Sequence, residues 1–134
     1  MKLFAAPVIA AFFIVTSITL SADTTLKEDK ANVINSQYSF TYQFPEKPKL
    51  GTYILKVNLL KNNEKVKDLT VLVSYSMPSC GMHRNPGKPV QMQINKKNDY
   101  LAPINFVMRG VWEVVLTFQQ NGKDLYSGKF PVEI

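Results

Sequence analysis

The residues with the clearest capacity for chemistry stand close together in one short stretch. The chain has a single cysteine, Cys80, and a single histidine, His83, and two of its five methionines, Met77 and Met82, lie beside them. Thioether, thiol and imidazole groups suit Cu(I) better than they suit Mg²⁺ or Ca²⁺, which prefer oxygen ligands. The leading hypothesis is therefore a Cu(I) site in this stretch.

The same stretch also has a purely structural interpretation. Met77 would end a core strand, Pro78 and Gly81 would form a turn, and Cys80 would fill a small apolar space, because Met and Cys are ordinary core residues. The stretch by itself leaves the copper interpretation and this one open.

Two later methionines are more distant candidates. Met92 alternates with Val90 and Ile94, which favours a core methionine on one face of a strand. Met108 stands before a turn signal at Gly110 and remains a candidate ligand.

The single histidine argues against several other kinds of site. A blue-copper centre needs two imidazoles, and a structural zinc site needs four Cys or His ligands. No Gly-x-Ser-x-Gly motif occurs. A nucleophile pair of Cys80 and His83 has no visible oxyanion device, so we expect no enzyme. A redox role for the Cys80 thiol is a third hypothesis.

The first 22 residues have the layout of an export signal. Lys2 precedes the apolar run Leu3–Leu20, and Ser21 and Ala22 are small. We expect cleavage after Ala22 and a periplasmic or other cell-envelope location. An uncleaved segment would be long enough to anchor the chain, and would be its only attachment to a membrane.

The charge pattern gives no sign of nucleic-acid binding. The formal net charge is +6, but the lysines are spread along the chain without a dense cluster interleaved with aromatic residues. We interpret the surplus as a solvated surface.

Alternating apolar and polar residues predict a domain over residues 38–134, after a polar lead-in over residues 23–37. Asn62-Asn63 and Asn121-Gly122 are turn signals, and about a dozen residues separate Met77 from Val90. The pattern predicts an all-β, immunoglobulin-like antiparallel sandwich of about seven strands without a helix. The alternating runs cover residues 38–44, 51–59, 69–77, 90–94, 100–108, 112–118 and 125–134.

Two blocks of residues form a recognisable pattern. The first block is Met77-Pro78 followed by Met82-His83, and the second is Tyr100, Phe106, Met108, Gly110 and Trp112. Together they resemble the YtkA-like domain and the related FixH-type domain associated with cytochrome oxidase assembly, over about Leu50 to Ile134. Two features depart from the family pattern: Ser79-Cys80-Gly81 is inserted within the first block, and Asp99 stands where a glycine is frequent.

This resemblance implies a small exported or membrane-anchored β-sandwich that works near a metal, most naturally copper, without catalysis. It implies Met77, Met82, His83 and Met108 as the counterparts of the family's Met and His positions. It also implies a partner in the envelope, such as a metalloprotein, an oxidase or a copper-transport protein.

Two main hypotheses follow, and they differ in what they predict for the structure. A Cu(I)-binding domain that buffers or delivers metal should gather Met77, Cys80, Met82 and His83 at one end of the sandwich. A metal-free interaction domain should bury Met77 and Met108 in the core and turn Cys80 away from His83.

Overall fold

Two antiparallel sheets make up the part of the protein that the computed structural model describes, residues 26–79 and 87–134. These ranges contain ten strands and no helix, and so no helix that could cross a membrane. The predicted all-β sandwich is confirmed. The signal segment, residues 1–22, and the stretch from Cys80 to Pro86 lie outside the described residues.

Six of the strands have six or more residues, and the other four have two residues each. The strands are β1 (Asn32–Val33), β2 (Tyr38–Gln43), β3 (Gly51–Lys61), β4 (Glu64–Lys65), β5 (Thr70–Ser76), β6 (Val90–Gln91), β7 (Gln93–Ile94), β8 (Tyr100–Phe106), β9 (Val111–Gln120) and β10 (Lys123–Glu133). The larger sheet has the order β1-β2-β3-β8-β7, with β4 also paired to β3, and the smaller sheet has the order β10-β9-β5-β6.

The core lies between the two sheets and follows the period of two in the sequence. Along β9, Trp112, Val114, Leu116 and Phe118 are all buried, as the alternation predicts. Aromatic side chains join the sheets: the Phe40 ring lies 4.5 Å from that of Phe118 between centroids. With no disulfide available to a single cysteine, such packing stabilises the fold.

The prediction of one strand with Val90, Met92 and Ile94 on a common buried face was wrong. β6 pairs with β5 in one sheet and β7 pairs with β8 in the other, so the chain changes sheets at Met92. Met92 N–H donates to the Val71 carbonyl at 2.8 Å, and its side chain is 2% exposed. The core interpretation of Met92 is confirmed, while Val90 and Ile94 are exposed because each belongs to a two-residue edge strand.

Part of the predicted lead-in packs on the sandwich. Leu26 is buried, its N–H donates to the Lys129 carbonyl at 3.1 Å, and its carbonyl accepts the Tyr42 hydroxyl at 3.0 Å. A Cβ on Gly128 would come within 2.8 Å of the Leu26 side chain, so the glycine leaves room for it. Residues from Leu26 onward therefore belong to the folded domain.

One end of the sandwich, here called the turn end, is closed by tight polar turns. Asn62, Asn63 and Asn121 have positive φ of 53°, 63° and 53°, and Gly122 has 77°, which confirms the two predicted hairpin turns. The third turn of this end, Asn95–Asp99, is held by its own side chains.

Asp99 fixes that third turn. Its carboxylate accepts Lys65 Nζ at 2.8 Å and Asn95 Nδ2 at 3.2 Å, and its own N–H donates to Asn95 Oδ1 at 2.9 Å. The hydrogen bond from Lys65, which outweighs the opposing effect of burial, holds the pKa of Asp99 below its usual value. The departure from glycine at this position thus has a structural role.

The opposite end, here called the loop end, carries longer connections. Three connecting segments lie at this end: residues 44–50, residues 77–89, of which 77–79 and 87–89 are described, and residues 107–110. Ile134, which follows β10, lies at the same end. Phe106, opposite Gly51 in the larger sheet, packs its ring on that of Trp112 in the smaller sheet, so both sheets end close together. Met77 and Met108 therefore belong to the same end of the molecule.

Candidate metal centre

Met77 is the first residue after β5 and is buried, with 4% of its surface exposed. Its terminal methyl packs so closely on Gly110 that a Cβ there would collide with Met77 Cε. Gly110 has a φ of 141°, a conformation that other residues rarely adopt. The glycine thus allows the 107–110 segment to close over Met77.

Met108 lies on that same segment but faces the surface, with 38% of its area exposed. Two anchors hold the segment. Trp112 Nε1 donates to the Met108 carbonyl at 2.9 Å, and Gly110 and Ile134 exchange backbone hydrogen bonds of 3.0 and 2.8 Å. The Met108 side chain is therefore carried on a backbone that is held at Met108 itself and at Gly110.

A cluster of aromatic side chains packs in the core next to the loop end. The Trp112 ring lies 5.7 Å from Phe106 in an edge-to-face arrangement and 6.0 Å from Tyr75. The Tyr75 hydroxyl accepts the Asn105 N–H at 3.4 Å, so it links the two sheets. This packing gives the loops a rigid base.

The structure places some of the predicted ligands at the same end, while others lie outside the described residues. Met77 and the segment bearing Met108 are in contact through Gly110. Cys80, Met82 and His83 lie outside the described residues. Among residues 26–79 and 87–134, no group of three His, Cys, Asp or Glu side chains could hold a metal ion.

Met77 and Met108 support different hypotheses. Burial of Met77 is what the metal-free hypothesis predicted, whereas the same hypothesis predicted burial of Met108, which is exposed. A methionine at the surface can approach a metal ion without disturbing the core, while a buried one must first leave its packing. Met108 is accordingly the more accessible of the two described donors.

Sequence reasoning missed a cationic cleft at the loop end. Lys47, Lys49 and Arg109 line a cleft of about 510 Å³ with Glu133 and Ile134, and with Pro48 and Leu50 completing its wall. The cations are far apart in the sequence, so composition alone showed only a dispersed surplus of lysine. The signal was the placement of Lys47 and Lys49 around a proline and of Arg109 directly after Met108.

Comparisons with known proteins identify the family. A search of curated proteins gives no match for this chain. The sequence pattern of the YtkA-like family matches residues 30–117, from just before β1 into β9, and so starts earlier and ends earlier than the resemblance in the sequence. Since this match covers more than half of the chain, the protein belongs to the YtkA-like family.

Proposed function

We propose that this domain binds Cu(I) at its loop end and buffers or delivers the metal in the cell envelope. The observation that carries the proposal is that Met108, on an anchored segment, is exposed at the surface. That segment packs on Met77, three residues before the stretch that contains Cys80, Met82 and His83.

The donor types favour Cu(I) over other metals. Soft thiolate and thioether ligands select Cu(I), which accepts two to four donors and needs no octahedral shell of oxygen. A donor on a fixed backbone loses little conformational freedom when it binds, so the two anchors of the Met108 segment favour ligation there.

Met77 takes a different place in the proposed ligand set. Its side chain is covered by the 107–110 segment, so ligation by Met77 requires that the packing on Gly110 opens. We therefore rank Met108, Cys80, Met82 and His83 as primary ligands and Met77 as a donor reached on rearrangement.

We propose binding rather than catalysis, with an envelope metalloprotein, an oxidase or a copper-transport protein as the partner. A site of this kind should weaken on acidification, because Cys and His ligate only after losing a proton.

The test is a titration of the mature domain with Cu(I) against a competing chelator. We expect one equivalent to bind, and Cys80→Ser and His83→Ala each to weaken binding on the order of tenfold or more. Met92→Leu is the matched control, because Met92 is a core residue away from the loop end. Absence of binding above the chelator background would refute the proposal.

A metal-free interaction domain is the second candidate, and burial of Met77 favours it. β10 is an 11-residue strand at the edge of its sheet, and away from Lys129, where Leu26 already bonds, this edge is of the kind to which a partner strand can add. If copper fails to bind while the domain still captures a partner through this edge, the second candidate replaces the first.

A further inference from the structure

We propose that the cationic cleft at the loop end is a docking site for an acidic segment of a partner protein. The cleft lies between the 44–50 segment and the end of β10, and its volume of about 510 Å³ falls in the usual range for binding pockets. Arg109 forms part of its wall.

Charge is the first argument for an acidic partner. Lys47, Lys49 and Arg109 are exposed, and within the described ranges no ion pair engages any of them. Glu133 is the single carboxylate side chain in the lining. Three cationic side chains against one carboxylate side chain leave a positive cleft, which attracts carboxylates and speeds their association.

The apolar part of the lining shows which kind of anion fits. Leu50 is 48% exposed, and with Pro48 and Ile134 it gives the cleft an apolar wall. A simple inorganic anion would leave this wall in water. A peptide with carboxylates and an intervening apolar side chain would satisfy both the cations and the wall.

The shape of the cleft favours a peptide over a membrane surface. A bilayer is broad and cannot enter a concave site. A peptide chain can enter the cleft and place its own carboxylates beside the lysines and the arginine.

The location gives the docking site a role in metal exchange, a role that rests on the proposed copper function. Arg109 directly follows Met108, so a partner held in the cleft would lie beside an accessible donor. Peptide binding itself needs no metal, and the metal-free domain can therefore be used to test it.

The experiment measures fluorescence anisotropy of a short labelled peptide of glutamates with interspersed leucines, added to the metal-free domain. Lys47→Glu with Lys49→Glu should weaken binding about tenfold, and added salt should weaken binding to the unaltered domain. Leu50→Ser should weaken it by a smaller factor, about threefold.

The matched control is Lys96→Glu with Lys97→Glu, which makes the same charge change on exposed lysines of the turn end. It should leave peptide affinity within about twofold of the unaltered domain. Thermal unfolding of all variants checks that each is folded.

Equal weakening by both double variants would overturn the proposal, because net charge alone would then explain binding. So would equal affinity for a peptide with glutamine in place of glutamate, or binding only to vesicles of phosphatidylglycerol. Cu(I) affinity of the Lys47→Glu, Lys49→Glu variant should be unchanged, which separates failure of docking from failure of copper binding.

Discussion

The two ends of the sandwich differ in the length of their connections and in the residues that form them. The turn end closes β-strands through tight turns at Asn62-Asn63 and Asn121-Gly122, and through a turn held by Asp99. The loop end has longer segments that carry an exposed thioether, Met108, and three cations. The polar side chains of the turn at Asp99 form hydrogen bonds within the protein, whereas those of the loop end face solvent.

This difference separates an end where side chains stabilise the fold from an end where side chains face solvent. At the turn end, Lys65 and Asn95 contact the Asp99 carboxylate, and the Tyr100 hydroxyl donates to the Leu69 carbonyl at 2.6 Å. At the loop end, the anchors formed by Trp112 and Ile134 hold the backbone and leave side chains at the surface. A fixed backbone with outward side chains is suited to binding.

The largest effect on stability is expected for Gly110→Ala. The substitution combines strain at a φ of 141° with a collision with the Met77 methyl, so it should lower the free energy of unfolding by about 3 kcal/mol. Gly51→Ala is the matched control, since φ there is 121° and no atom lies within 4 Å of the new Cβ. In urea denaturation, Gly51→Ala should lower the free energy of unfolding by about 1 to 2 kcal/mol.

A second background separates the strain from the collision. Met77→Leu removes the terminal methyl at nearly constant volume, and Gly110→Ala should then cost about 1 kcal/mol less than in the unaltered chain. The same cost in both backgrounds would show that contact with Met77 does not shape the loop end.

Trp112→Phe and Tyr100→Phe form a matched pair, one at each end. Each removes a donor to a backbone carbonyl, that of Met108 or that of Leu69, which should lower the free energy of unfolding by about 1 to 2 kcal/mol. Trp112→Phe also leaves a small cavity in the aromatic cluster, which should add about 1 kcal/mol. Only Trp112→Phe should also weaken Cu(I) binding, by about threefold, because it releases the segment that presents Met108. Equal Cu(I) affinities for the two variants would contradict the proposed role of this anchor.

The smallest effect is expected for Asp99→Asn, at about 1 kcal/mol near neutral pH. Since hydrogen bonding to Lys65 lowers the pKa of Asp99 in the folded state, its contribution is present above the pKa of the unfolded chain and is lost as pH falls through the folded value. Urea denaturation between about pH 3 and pH 7 should show a smaller acid-dependent loss in Asp99→Asn than in the unaltered chain. Identical pH profiles would contradict this account.

The two tyrosines at buried positions predict a change at alkaline pH. Burial raises the pKa of Tyr100 to about 12 and also raises that of Tyr42. The unfolded chain ionises near its ordinary value of about 10, so the free energy of unfolding should fall as pH rises above 10. Tyr100→Phe should reduce this fall, which denaturation at pH 9 and pH 11 would measure.

Much of the fold was predictable because strand alternation and turn chemistry are local. The buried face of β9 and the positive φ values at Asn62, Asn63 and Asn121 follow directly from the sequence. The crossing at Met92 was not predictable in this way. A period of two continues through residues 90–94 although β6 and β7 pair with different sheets, so alternation cannot reveal the change.

The candidate site was predictable only in part, because it depends on contacts between distant segments. The donor types around Met77 and Met108 were recognised from the sequence, but not that the first is buried and the second exposed. The burial of Met77 depends on the packing of Gly110 against its methyl group. The cationic cleft depends likewise on the meeting of Lys47 and Arg109, which are more than sixty residues apart.

The most direct test of the loop end as the functional end is an NMR titration of methionine methyl groups, labelled with ¹³C, with Cu(I). The account predicts that the methyl signals of Met82 and Met108 shift at one equivalent, and that of Met77 with them, while that of Met92 in the core stays in place. Unchanged loop-end signals, or a shift of Met92 as large as that of Met108, would contradict it.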